Sequence, residues 1–208
     1  MMTKQTVPKQ IEGTNRIEAF SDGVFAIIVT LLIFEVKVPV LGDLSNSAVL
    51  DALIGIVPKG LGFAVSFFTV AIFWVSHHYI FHRIAHSNWK LIWYNNLLLF
   101  WLAIVPFTTA FIGNYPTQPL VVFIYALNLF LATLTFSLLT YYVFFKSDLM
   151  TDAITESERW RHWKRGCRAF ALYGVACLAA FFNVYIALIV LAVIPVIFVV
   201  PRLLRESE

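Results

Sequence analysis

Six blocks of apolar residues alternate with short polar stretches along the chain. A helix that crosses a bilayer needs about 20 consecutive apolar residues. The pattern therefore predicts six spans, at about 17–38, 52–82, 91–113, 120–145, 167–182 and 184–200. Pro39, Gly42, Asp43 and Ser45 break the first block. The second is long enough to tilt or to extend beyond the bilayer. "NYPTQP" closes the third, and "KSDLMTDAITESERWRHWKRG" after the fourth reads as an interfacial loop and a helix start. Only the surroundings of Asn183 separate the last two blocks, so they are expected to form a helical hairpin. No internal duplication or low-complexity tract is visible, and 1–208 reads as a single six-helix transmembrane domain.

Composition agrees with an all-α integral membrane protein. Hydrophobic residues make up 60% of the chain and charged residues 13%, against about 45–50% and about 25% in soluble domains; the mean hydropathy is +0.81. Residues 1–15 are polar and the apolar run after them has no small-residue cleavage site, so no cleavable signal peptide is expected. Cys167 and Cys177, ten residues apart on one helix, would lie roughly 15 Å apart along it, too far for a disulfide. Trp89, Trp93, Trp160 and Trp163 suit an interfacial belt.

Lysine and arginine set the orientation. With the N-terminus inside, every one of the 15 Lys and Arg except Lys37 and Lys59 falls in an inner segment. Six spans with both termini cytoplasmic satisfy this asymmetry. The net charge of +3 follows from it and implies no nucleic-acid partner.

The first span, "RIEAFSDGVFAIIVTLLIFEV" from Arg16 to Val36, carries the most informative chemistry. At about 100° per residue, Gly23, Ile27, Thr30, Leu31 and Phe34 share an apolar stripe with one hydroxyl. Asp22, Ala26, Val29 and Ile33 form a second face, with Asp22 about 140° from Ile27. Both faces are candidates for contacts other than lipid, because an ionisable residue inside a span normally faces protein or water. If the stripe lines an axis shared by several copies, Asp22 is expected to turn into its own protomer, with Arg16, His77 or Arg83 as candidate partners. Ordinary helix packing would show the same kind of stripe.

"RIEAFSDGVFAIIVTLL" resembles the Arg-x-x-x-Phe-Ser-Asp signature, with its following Ala-Ile and Thr-Leu, of the transmembrane protein 175 family. Arg16, Phe20, Ser21 and Asp22 carry it, and Gly23 follows the prokaryotic form. Trp74 and His77 in "FWVSHH" look like the family's Trp-x-x-His. Asn96, Pro106 and Phe107 resemble its third-span segment. The resemblance is firm over spans one to three, while spans four to six match in number and hydrophobicity. It implies a potassium-selective cation channel without a re-entrant pore loop, lined by the first helices at an oligomer axis. With one six-span repeat, the chain resembles the prokaryotic members, which assemble as tetramers in the cell membrane. The permeant ion would be potassium, with no cofactor. Ile27 would be the constriction, Thr30 the selectivity layer, and Leu31 and Phe34 the remaining apolar lining; four phenylalanines on one axis would close it or force a rotation. Arg16, Ser21, Asp22 and His77 would form a hydrogen-bonded network near the inner mouth.

Two other readings start from the same residues. A secondary transporter, or a proton-conducting membrane protein, also suits a six-span chain. Span one, however, has no Gly or Pro break at the midplane, and no carboxylate sits at the centre of any span. His78, His82 and His86 have an i, i+4, i+8 spacing that would put imidazoles on one helix face, but no Glu or Cys cluster accompanies them. No hydrolase, metalloprotease or paired intramembrane aspartate motif is present, so an enzyme is not expected.

Overall fold

The computed structural model describes residues 11–151 and 154–205; Lys4 and Lys9 of the charge argument lie outside them. Among the described residues, five helical stretches are long and apolar enough to cross a membrane: 15–35, 46–81, 89–114, 119–146 and 156–182. A sixth helix, apolar over Val184–Val199, completes the bundle.

The first stretch is α1 (Asn15–Leu32), tightened at its end by a 3₁₀ turn, Ile33–Glu35. α2 (Asn46–Phe81) has 36 residues and so runs for about 54 Å, well beyond a hydrocarbon core of about 30 Å. Ser45 caps its N-terminus by accepting from Ala48 N–H at 3.3 Å. The same hydroxyl donates to Asp43 at 2.6 Å, which holds the Asp43 carboxyl below its usual range.

The third span is broken. α3 (Trp89–Ala103) ends at Ile104 and α4 (Val105–Asn114) begins immediately after it. Pro106 explains the break, because it lacks an N–H and its ring crowds the carbonyl one turn back. α5 (Pro119–Tyr141) continues into a π-helical turn, Tyr142–Lys146. α6 (Glu156–Phe182) starts eleven residues before the expected 167. Its start is written locally: the Thr155 hydroxyl accepts from Glu158 N–H while the Glu158 carboxylate accepts from Thr155 N–H, a reciprocal cap. α7 (Val184–Arg205) follows at once. Asn183 closes the hairpin by accepting from the N–H groups of Tyr185 and Ile186. Both cysteines are free thiols.

The segments at one end of the bundle are tied together. β1 (Ile11–Glu12) pairs antiparallel with β2 (His86–Ser87), in the loop between α2 and α3. That loop also meets the segment before α6: Ala85 N–H donates to Leu149 O at 2.7 Å and Thr151 N–H to Arg83 O at 2.9 Å. The N-terminal segment and two basic connections therefore share one end of the bundle. The core lies between α1, α2, α3, α5 and the α6–α7 hairpin, built on Phe25, Ile28, Leu32, Val70, Leu98 and Leu129.

Candidate pore-lining site

α1 is divided lengthwise. Phe25, Ile28 and Leu32 are 2%, 2% and 0% exposed, and Ser21 is buried with them. These positions recur every three or four residues and pack into the protomer's own core. On the other side Ile27 is 59%, Leu31 45% and Phe34 71% exposed. Arg16, Phe20, Gly23 and Thr30 are exposed on that side too, and a Cβ added at Gly23 would meet nothing. Phe34 sits in the 3₁₀ turn.

The second face read from the sequence does not turn inward. Asp22, Ala26 and Ile33 are exposed and Val29 is half-buried. The face that packs inward is a third one, that of Ser21, Phe25, Ile28 and Leu32. Periodicity groups residues onto faces; it does not say which apolar face meets protein, because lipid and packed helices are equally apolar.

The Thr30 hydroxyl donates back into its own helix, 3.0 Å from Ala26 O and 2.9 Å from Ile27 O. Its donor is thereby used, while the oxygen keeps acceptor capacity on the exposed side. That is the arrangement of a hydroxyl able to offer oxygen to a cation.

The polar residues near the start of α1 divide into two separate groups. His77 Nε2 lies 2.8 Å from Asn95 Oδ1, and Asn95 Nδ2 donates to Ser21 Oγ at 3.0 Å. All three are buried, and Ser21 in turn donates to Ile17 O at 2.7 Å. This chain fastens α1, α2 and α3 to one another. The His77 ring stacks on Phe81 at 4.0 Å and meets the edge of Phe25 at 5.5 Å. Asp22 is held apart from it, accepting from Trp74 Nε1–H at 2.9 Å. Among the described residues, Arg16 bonds to none of Ser21, Asp22 and His77. The sequence reading named Ser21 and His77 without the residue that joins them. Of the two neighbouring asparagines of α3, Asn95 is buried and Asn96 half-buried. Neighbouring residues on a helix point about 100° apart, so only the rotation of α3 decides between them.

The histidine ladder is also split. Trp74, His78 and His82 stack in sequence at 5.8 and 6.0 Å. α2 ends at Phe81, and His86 belongs to β2. Among the described residues no group of three His, Cys, Asp or Glu is arranged to hold a metal.

Comparison with known proteins bears on the same region. A family model described as endosomal/lysosomal potassium channel TMEM175 matches residues 16–106. A potassium channel of Chamaesiphon minutus is 42% identical over 112 residues, 54% of this chain and 55% of that protein. A potassium channel of Chryseobacterium is 36% identical over 124 residues, 60% and 62% of the two chains. The matched segments thus span little more than half of these curated relatives. The crystal structure of a lysosomal potassium-selective channel TMEM175 homolog from Chamaesiphon minutus superposes over 94% of this chain and 98% of its own, with 31% identity and a TM-score of 0.79.

The chain belongs to the TMEM175 family. The sequence match holds the exposed stripe of α1, Trp74, His77 and both asparagines. The structural match extends the TMEM175 fold to α5, α6 and α7, where hydrophobicity alone had suggested it. These relatives are ion channels and not enzymes, and the chain is a multi-pass membrane protein.

Proposed function

We propose that copies of this chain assemble in the cell membrane, as a homotetramer, into a potassium-selective cation channel whose pore is lined by α1. The observation that carries this reading is the exposed half of α1. Apolar exposure alone suits lipid. Here, however, Ile27, Leu31 and Phe34 share their side of the helix with Arg16 and Thr30, and Asp22 is exposed on a separate flank. Charged residues facing lipid within a span are costly, at roughly 2.5–3.5 kcal/mol at the centre. Facing other copies and an aqueous path removes that cost. The names of the relatives, potassium channels and a potassium-selective homolog, support the same reading. The termini are assigned to the cytoplasm, because the N-terminal strand and two basic connections share one end of the bundle.

In this arrangement Ile27 forms the constriction. A narrow apolar ring blocks ions by dewetting, since a hydrated cation finds no replacement ligands there. Opening requires an outward shift or rotation of the α1 helices. Thr30 hydroxyl oxygens then help a partly dehydrated potassium ion, with modest selectivity because the ligands are few. Leu31 and Phe34 complete the lining.

The test is a bi-ionic measurement. The purified protein is placed in planar bilayers with potassium chloride on one side and sodium chloride on the other. A channel current reversing towards the potassium equilibrium value is expected. Absence of current, with solute-dependent flux in liposomes, would make the protein a transporter instead.

A further inference from the structure

A second feature lies away from α1. Between α2, α5, α6 and α7 is a cavity of about 310 Å³, the size of a small-ligand site. It occupies the half of the bundle that carries the basic connections. Along α2 it runs from Tyr79 to Thr69, about 15 Å of helix rise.

Its two ends differ in chemistry. The deep walls are apolar, with Phe73, Phe136, Ile194 and Phe198. The hydroxyls of Thr133, Ser137 and Thr140 donate to their own helix's carbonyls at 2.7, 2.8 and 2.8 Å, so they need no water from the cavity. Thr69, at the deep end, is buried. The outer end carries His162 and Arg165. Tyr79 stacks on His162 at 4.5 Å and carries the Arg83 guanidinium 3.7 Å from its ring centre. No carboxylate is among the lining residues. Arg165 and His162 are the charged or titratable cationic groups of the lining; the Glu158 carboxylate, one turn before His162, lies outside the lining but within its electrostatic reach. Trp163 beside them suits the interface.

We propose that this cavity binds a membrane phospholipid, with its anionic headgroup at Arg165 and His162 and one acyl chain between α2, α5, α6 and α7. Charge complementarity selects the headgroup: a basic pocket between helices on the inner side fits a lipid phosphate. The depth and apolar walls select the chain. A free phosphate would satisfy the mouth and leave the deep apolar half unfilled.

The test uses the full-length protein in phosphatidylcholine vesicles containing a trace of phosphatidylglycerol with a photoreactive acyl chain. Labelled positions are read by peptide mass spectrometry. Labelling is expected within 165–173 and 194–198. Excess phosphatidylglycerol should suppress it and inorganic phosphate should not. Arg165→Gln should lower it about tenfold, the scale of one charge-assisted hydrogen bond, with labelling of lipid-facing positions on α7 unchanged. Ala169→Phe, which fills the cavity, should abolish it; should that variant not fold, Arg165→Gln decides. Equal labelling by a photoreactive phosphatidylcholine, or full labelling of Arg165→Gln, would overturn headgroup recognition. Competition by inorganic phosphate would overturn the lipid assignment.

Discussion

Trp74 on α2 donates its indole N–H to the Asp22 carboxylate on α1, at 2.9 Å, on the exposed side of the protomer. The bond ties the candidate pore helix to its neighbour in the N-terminal half of α1. A rotation of α1 relative to α2 would stretch or break it. Trp74→Phe keeps a ring and removes the donor. It is expected to lower the melting temperature of the purified oligomer by the equivalent of about 1–2 kcal/mol. Asp22→Asn should act in the same direction, through assembly or gating, and leave the potassium-to-sodium permeability ratio unchanged. A defect confined to that ratio would place Asp22 in the filter.

Buried inside the protomer, Asn95 joins His77 to Ser21. Asn95→Leu strands both partners, and intramembrane hydrogen bonds contribute about 0.6 kcal/mol on average and up to about 1.7. The variant should therefore melt measurably lower, while Asn96→Leu should stay close to the parent. Equal losses at both positions would show that the network does not hold the three helices.

Much of this was legible in the sequence. The six blocks, the hairpin at Asn183 and the α1 stripe all follow from hydropathy and period. The break at Pro106 and the cap Thr155-x-x-Glu158 were also written in the chain, but a hydropathy reading passes over both. Other features needed the fold. Opposite charge suggests Arg16, His77 or Arg83 as the partner of Asp22 within its own protomer. The structure supplies an uncharged donor, Trp74, on the exposed side. Asn95 and Asn96 are equivalent by composition and are separated only by how α3 is rotated. The pairing of β1 with β2 joins segments more than seventy residues apart, and no local pattern announces it.

Thr30 offers its oxygen while its hydrogen is used within the helix. Thr30→Val keeps the shape and removes the oxygen. The fold is expected to persist, with an unchanged melting temperature, while the permeability ratio in bi-ionic recordings falls towards that of an unselective cation pore. An unchanged ratio would remove Thr30 from the filter.

Ile27→Asn replaces an apolar ring with one that water can wet. Single-channel conductance or open probability should rise. A variant indistinguishable from the parent would mean that the constriction lies elsewhere.

The most direct test of the central claim is cross-linking at α1 in a background with Cys167 and Cys177 replaced. Disulfides form only between Cα atoms roughly 4.4–6.8 Å apart. Ile27→Cys is predicted to give interchain dimers on mild oxidation, with loss of potassium current that a reductant restores. Ile28→Cys, one position away but 2% exposed, should give neither. Cross-linking at Ile28 in place of Ile27, or dimers at Ile27 that leave the current intact, would contradict a pore lined by this face of α1.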